Sequence, residues 1–279
     1  SHSLSTWRKI TLARLWSLSG AKIVLHAHSS DYKEYFPKLP RIIRWLAASS
    51  IRRADYLVVL SESWKKFYAD ELDINVEKIK VLPNPIVLPK TNSKKTTNPI
   101  SVLFSGRIGE RKGTFDLILA WSKISPELRK NAILNITGDG QITKADKMVK
   151  KLGISESVNI LGWVPSDELE LLFSTSSIYV LTSRNEGLPM GLLEAMSHSS
   201  AVITSPVGGI PELIEHNKNG ILVRPGDIAE ITKFLEILIS ENKTRDRLRS
   251  NARKSIEPLD IIHYRKKIEQ LWREAISSE

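Results

Sequence analysis

The chain has 279 residues, 41% of them hydrophobic, and its 41 Lys and Arg against 31 Asp and Glu give a formal net charge of +10. That length and apolar content suit two domains with cores of their own and exclude a wholly disordered chain. The lack of cysteine excludes a disulfide framework and thiolate metal sites, and no apolar run is long enough for a bilayer-spanning helix.

Strand and helix patterns alternate almost throughout, which predicts an α/β fold on parallel sheets. In the first part, strands are expected at AKIVLHA, DYLVVL and KIKVLP, with helices over 38–54 and 62–72. The run PNPIVLPKTNSKKTTNP at 83–99 lacks periodicity and reads as a linker. Beyond it, strands are expected at ISVLFSG, AILNITG, VNILGW, SIYVLTS, AVITSP and GILVRP. Helices over 113–123, 142–152, 166–174, 189–198 and 210–216 separate them, and helices over 227–241 and 257–277 close the chain. The expected domains are residues 1–90, a linker at 91–99, and residues 100–279 with both closing helices. Three strands are few for a free-standing parallel sheet, so the first domain is expected to be incomplete, with a part missing upstream.

Positive charge is uneven. Residues 1–99 hold 17 Lys and Arg against 8 Asp and Glu, whereas residues 100–279 hold 24 against 23. In WRKITLARLW, RIIRWLAASSIRR and SWKKFY the cations alternate with aromatic and aliphatic groups, a pattern suited to anionic lipid or an acidic acceptor. A solvated helix face is the plainer alternative.

The segment RNEGLPMGLLEAM, Arg184 to Met196, follows a short apolar strand and sets Glu186 and Glu194 seven residues apart. Pro189 suits the first position of a helix, because its fixed φ fits there and its missing N–H has no intrahelical role. Backbone N–H groups from Gly187 to Gly191 would then face the crevice beyond the strand, forming an anion site. A nucleotide sugar matches this layout, with hydroxyls at both ends and a diphosphate between. The structural alternatives are a solvated loop acid for Glu186 and a first-turn acid favoured by the helix dipole for Glu194.

Three further strand-to-helix turns have similar character. FSGRIGERKGTF offers Arg107 and Lys112 beside Gly106 and Gly113, cations suited to a diphosphate; it matches neither a P-loop nor a dinucleotide fingerprint. ITGDGQ places Gly138 in a turn that permits close backbone approach, and SPVGGIPELI places Gly208 and Gly209 before Pro211. All lie at the carboxyl ends of strands of one sheet, where open α/β sheets bind ligands.

The ordered set GRIGERKG, GDG, LGWVPSDEL, SRNEGLPMGLLEAM, SPVGGIPELI and NGILVRPGD resembles the C-terminal domain of retaining GT-B glycosyltransferases of family 4. VLHAHSSDY, ADYLVVLSESWKKF and KIKVLPNPI resemble the later half of that family's N-terminal domain. The resemblance implies two Rossmann-like domains and transfer of a sugar, with retention, from a nucleotide-sugar donor to a glycan or lipid-linked acceptor. It implies that Arg107 and Lys112 hold the donor diphosphate, helped by the backbone of Gly187, Leu188, Pro189 and Met190. By the same likeness Glu186 faces the transferred sugar, Glu194 binds the ribose, and the loop from Gly162 through Val164 to Pro165 lies along the base. His28 matches the histidine near the reacting centre, so Glu186, His28, Arg107 and Lys112 are the candidate catalytic residues; His26 reads better as a strand residue.

No Asp-x-Asp occurs, and fixed cations can absorb the charge of a departing diphosphate, so neither metal nor cofactor is expected. Nucleic acid is not an expected partner. The expected location is cytoplasmic, with the basic half resting on the inner face of the cell membrane. Two alternatives stay open at this point: a truncated chain that binds nucleotide sugar or a partner without turnover, and a nucleotide-sugar epimerase, which also uses two facing domains.

Overall fold

The computed structural model of the chain describes residues 8, 11, 12, 15, 16, 19–28, 30–89 and 98–277. They divide into two compact units, one running to Pro85 and resuming at Ile261, the other Ile86–Asp260.

The first unit holds three parallel strands, β1 (Val24–His26), β2 (Tyr56–Val59) and β3 (Ile79–Val81), in that spatial order. Helix α1 (Arg41–Arg52) begins three residues later than the pattern predicts. Proline disfavours helical geometry in the residue before it, so Leu39 is extended (φ −71°, ψ 145°) and α1 starts after Pro40. Helix α2 (Glu62–Leu72) is capped by Ser61, whose Oγ accepts from Trp64 N, and it stops where Asp73 turns left-handed at φ 53°.

Strand β2 is covered on both faces, as a central parallel strand must be. Leu57 and Val59 pack with Trp64, Tyr68, Leu72 and Phe36, whereas Val58 packs with Leu82, Ile268 and Leu271.

The second unit is a six-stranded parallel sheet of β4 (Ile100–Ser105), β5 (Ala132–Thr137), β6 (Val158–Gly162), β7 (Ile178–Leu181), β8 (Ala201–Thr204) and β9 (Ile221–Leu222). Their spatial order is β6-β5-β4-β7-β8-β9, the doubly wound arrangement whose direction of growth reverses between β4 and β7. Strands β7 and β8 are buried at every residue and read as unbroken apolar or small runs. Between the strands run α3 (Thr114–Lys123), α4 (Ile142–Lys151), α5 (Ser166–Thr175) and α6 (Met190–Ser197). After the sheet come α7 (Ile228–Ser240), α8 (Asn242–Ser255) and α9 (Ile261–Ser277).

Two further features differ from expectation. Helix α8, NKTRDRLRSNARKS, was not expected, because so polar a stretch shows no apolar stripe. It is held instead by Leu248, Ala252 and the buried Arg245, whose Nη1 donates to the α7 carbonyls of Leu238 (2.6 Å) and Ile239 (3.3 Å). Helix α9 was expected in the second domain, yet its buried residues Ile268 and Leu271 cover the Val58 face of the first sheet. Periodicity reveals an apolar stripe without saying which sheet it will cover.

Ile86 belongs to the second unit, where its N–H bonds to Leu259 O at 2.9 Å. Most of the expected linker, 91–97, lies outside the described residues. Among the described residues no helix is long and apolar enough to cross a membrane.

Candidate functional site

The reversal point between β4 and β7 brings two loops together. After β4 the chain passes Arg107 and a tight turn at Glu110–Lys112, then enters α3 through Gly113 at φ +73°. A Cβ on Gly113 would overlap the Thr182 carbonyl oxygen, so only glycine lets this loop lie against the end of β7. From the other side Gly208, at φ +60°, approaches the Glu186 carbonyl equally closely, and Gly209 N donates to Gly187 O at 2.7 Å.

Glu186 is thereby buried, 5% exposed, which rules out a solvated loop acid. Its Oε1 accepts from Lys112 Nζ at 2.6 Å and from Ser183 Oγ at 2.7 Å. Lys112 and Glu186, matched by the resemblance to different parts of one ligand, are thus partners in the free protein. Arg184 ties the same loops from outside. Its backbone N–H donates to Arg111 O (2.8 Å), its Nη1 donates to Glu110 O (2.7 Å), and Nη1 also lies 2.7 Å from Asp116 Oδ2. Arg111 Nη1 returns a bond to Asn185 O at 3.1 Å.

Pro189 caps α6 with an extended backbone (φ −73°, ψ 128°), one residue before the helix rather than inside it, and its carbonyl accepts from Leu192 and Leu193 N–H. Leu188 is buried and Met190 exposed. Glu194 consequently sits in the second turn of α6, beyond the first turn where an acid gains from the helix dipole. Its carboxylate is half-buried and receives no hydrogen bond among the described residues. Burial, then the charge of Glu170, raise the Glu194 carboxyl above its ordinary range. Glu170 in turn lies 3.1 Å from His198 Nε2, and the His198 ring stacks on Phe173.

Tyr179 floors the crevice, its OH donating to Ser105 O at 3.1 Å. Burial, then the charges of Glu186 and Glu194, hold its phenol well above the usual range. A seam of backbone runs onward across the strand ends, with Gly106 N donating to Thr137 O and Gly138 N to Gly162 O. Beyond Gly162, Val164 is buried and Trp163 is 73% exposed.

Arg107 is exposed and makes no hydrogen bond or ion pair among the described residues, so its five donors are available to a ligand. The structure therefore gathers Arg107, Lys112, Gly138, Gly162, Glu186 and Glu194 at one sheet edge. His28 and His26 belong to the first unit, where His28 is exposed and their rings stack 5.9 Å apart. Burial, then His28, lower the His26 imidazole below its ordinary value, as suits a strand residue.

Sequence reasoning missed Ser183, Arg184 and Tyr179 as members of this edge. Ser183 stands three residues before Glu186 inside the quoted motif, a signal that was present; Tyr179 looks like any other residue of an apolar strand.

Residues 89–255 match the family described as Glycosyl transferases group 1, and residues 1–88 match Glycosyltransferase Family 4. The chain belongs to the group 1 glycosyl transferases. It is 30% identical over 242 residues to the Campylobacter jejuni GalNAc-alpha-(1->4)-GalNAc-alpha-(1->3)-diNAcBac-PP-undecaprenol alpha-1,4-N-acetyl-D-galactosaminyltransferase, covering 85% of this chain and 64% of that one. An uncharacterised glycosyltransferase of Haemophilus influenzae is 31% identical over 207 residues, 72% of this chain and 56% of its own. This chain thus spans 56–64% of the length of these two relatives.

In fold, the group 1 chain is similar to Anabaena HepE, solved with UDP, at a TM-score of 0.83 and 20% identity over 96% of this chain and 77% of HepE. It is also similar to sucrose-phosphate synthase from Thermosynechococcus elongatus, at a TM-score of 0.78 and 18% identity over 95% and 71% of the two chains. The α/β architecture on parallel sheets is that of the GT-B glycosyltransferases.

Proposed function

We propose that this chain belongs to a metal-independent glycosyltransferase that moves a hexose-type sugar, with retention, from a nucleotide-sugar donor to a glycan or lipid-linked acceptor in surface polysaccharide or glycoconjugate synthesis. The observation that supports this most is the pairing of opposites at the β4/β7 reversal. Glu186 is buried and charge-compensated, Glu194 is half-buried with an open carboxylate, and Arg107 is a free fork of donors beside them.

Departure of a nucleoside diphosphate breaks the bond between the anomeric carbon and the phosphate oxygen. The sugar gains oxocarbenium character while negative charge grows on the diphosphate. In this reading Arg107, Lys112 and the N–H groups at the start of α6 stabilise that charge, a role for fixed donors that need no reorganisation. Glu194 accepts from the ribose and Glu186 addresses the transferred sugar. The loop at Gly162–Pro165 lines the base, and Gly138 lets the protein backbone approach the donor closely. His28, in the first unit, is the residue matched to the family's catalytic histidine, and replacing it by alanine should lower transfer.

UDP is the first nucleotide to test, because HepE was solved with UDP and with UDP-glucose. The C. jejuni relative, whose name specifies an undecaprenol-linked glycan, supports a lipid-linked acceptor. Calorimetry with UDP, followed by assays for UDP release from UDP-sugars with and without acceptor, tests the proposal. Release of UDP with glycosylated acceptor is expected. Binding without release would leave a nucleotide-sugar binder, and conversion of the sugar within the nucleotide would make it an epimerase.

A further inference from the structure

The Glu186 carboxylate is held unevenly. Both donors that reach it, Lys112 Nζ at 2.6 Å and Ser183 Oγ at 2.7 Å, bond to the same oxygen, Oε1. Oε2 accepts no hydrogen bond among the described residues, so its acceptor capacity is unspent.

The two donors differ in kind. Lys112 carries its charge on a flexible four-carbon stem, and in the proposed reaction the same ammonium also faces the diphosphate. Ser183 offers a short hydroxyl on fixed backbone. It is fully buried, and the residues on either side of it are fastened to the loop between β4 and α3. Thr182 Oγ1 donates to Gly113 O at 3.4 Å, and the Arg184 N–H donates to Arg111 O at 2.8 Å. A flexible cation neutralises a carboxylate, whereas a fixed hydroxyl aims it. Rotating the carboxylate away from this orientation would lose both bonds, each short and charge-assisted, so the unpartnered oxygen keeps one direction.

We propose that Ser183 is a positioning residue for the transferred sugar: by donating its one proton to Glu186 Oε1, it turns Oε2 into the crevice as the acceptor for a hydroxyl of that sugar. It also leaves Oε1 with a partner when a bound diphosphate draws on Lys112, which matters because a buried carboxylate without one is costly. The inference rests on the proposed assignment of Glu186 to the sugar and adds the group that makes that contact directional. An acceptor held in one direction favours a ligand that carries the matching hydroxyl over one that lacks it.

Calorimetry on the full chain tests this by comparing UDP with UDP-glucose, UDP-galactose and their two N-acetylhexosamine counterparts, the tightest of the four serving as the probe. In the wild type the probe should bind more tightly than UDP. Ser183→Ala should leave UDP affinity within about twofold and weaken the probe about tenfold. Ser183→Cys keeps the side chain close to its original size while its thiol donates only weakly, so it should match Ser183→Ala and gives the same reading if the alanine variant does not fold. In a crystal structure of whichever variant folds, the Glu186 carboxylate should be rotated from its wild-type orientation. Equal losses for UDP and the probe would make Ser183 a support of the loop alone and overturn the inference. Wild-type affinity for the probe in Ser183→Cys, or an unmoved carboxylate, would overturn it as well. A wild type that binds none of the four UDP-sugars more tightly than UDP would overturn the assignment of Glu186 to the sugar, and this inference with it. Failure of the assignment is thus read from the wild type and failure of the inference from the variants.

Discussion

At the ends of β4 and β7, Lys112 is 2.6 Å from a buried Glu186 and Arg184 is 2.7 Å from Asp116; along α1, three arginines, Arg41, Arg44 and Arg53, make no ion pair among the described residues. The first region lies in a stretch that is nearly neutral, 24 cations against 23 acids, and the second in one of strong positive excess. Regional charge therefore does not locate the candidate anion site. A few charges held in a partly dry crevice interact more strongly with a ligand than many in water do, whereas a diffuse basic face acts at long range and fades with salt.

The sharpest way to break this contrast is Glu186→Ala. It strands Lys112 in the crevice without its carboxylate, and it should cost about 3 kcal/mol in chemical denaturation. Adding Lys112→Met should recover part of that loss; a double variant no better than the single one would mean the pair is not coupled. Next is Gly113→Ala, which forces a side chain into a left-handed turn against the Thr182 carbonyl. A loss of about 2–3 kcal/mol is expected, and a near-neutral result would show that the two loops are not tightly apposed.

Binding should respond without loss of fold at Arg107, because that side chain is exposed and unpaired. Arg107→Glu is expected to weaken UDP about a hundredfold by calorimetry, and undiminished affinity would remove the diphosphate assignment. The two glutamates should then separate. Glu194→Ala should weaken UDP and UDP-sugar alike by about tenfold, whereas Glu186→Ala should spare UDP and impair transfer. Equal losses for both ligands in both variants would contradict the division of roles.

The smallest effect is a pH dependence. Burial and Glu170 raise the Glu194 carboxyl in the folded state, so its contribution to stability is fully present below its ordinary value of 4.5 and is lost as pH rises through the raised value. Glu194→Gln has no such loss. Its melting temperature relative to wild type should climb across that window and level off above it, and a constant difference at all pH values would argue that Glu194 is solvated.

Much of this was legible in the chain. Runs such as SSIYVLTS and AVITSP are short, apolar and β-rich and read as buried strands, and each ends in a glycine- or proline-bearing turn, so the parallel sheet and the strand ends that carry Arg107, Lys112, Glu186 and Glu194 were legible from pattern and turn chemistry together. Ordered motifs across nearly the whole chain pointed to the glycosyltransferase family. Local pattern also sufficed for α2, where Ser61 supplies the cap and Trp64, Tyr68 and Leu72 repeat at helical spacing.

Tertiary structure alone decided who touches whom. The Lys112–Glu186 bond joins residues 74 positions apart, and nothing in either motif says that one will neutralise the other. The sheet over which α9 lies was undetermined for the same reason, since an apolar stripe specifies burial and not a partner. Helix α8 formed where local pattern was silent, because Arg245 reaches carbonyls that only the fold brings near. Local sequence sets backbone preference and polarity within a few residues, whereas pairing across loops depends on where six strands place their ends, and that is settled only when the sheet has closed around its core.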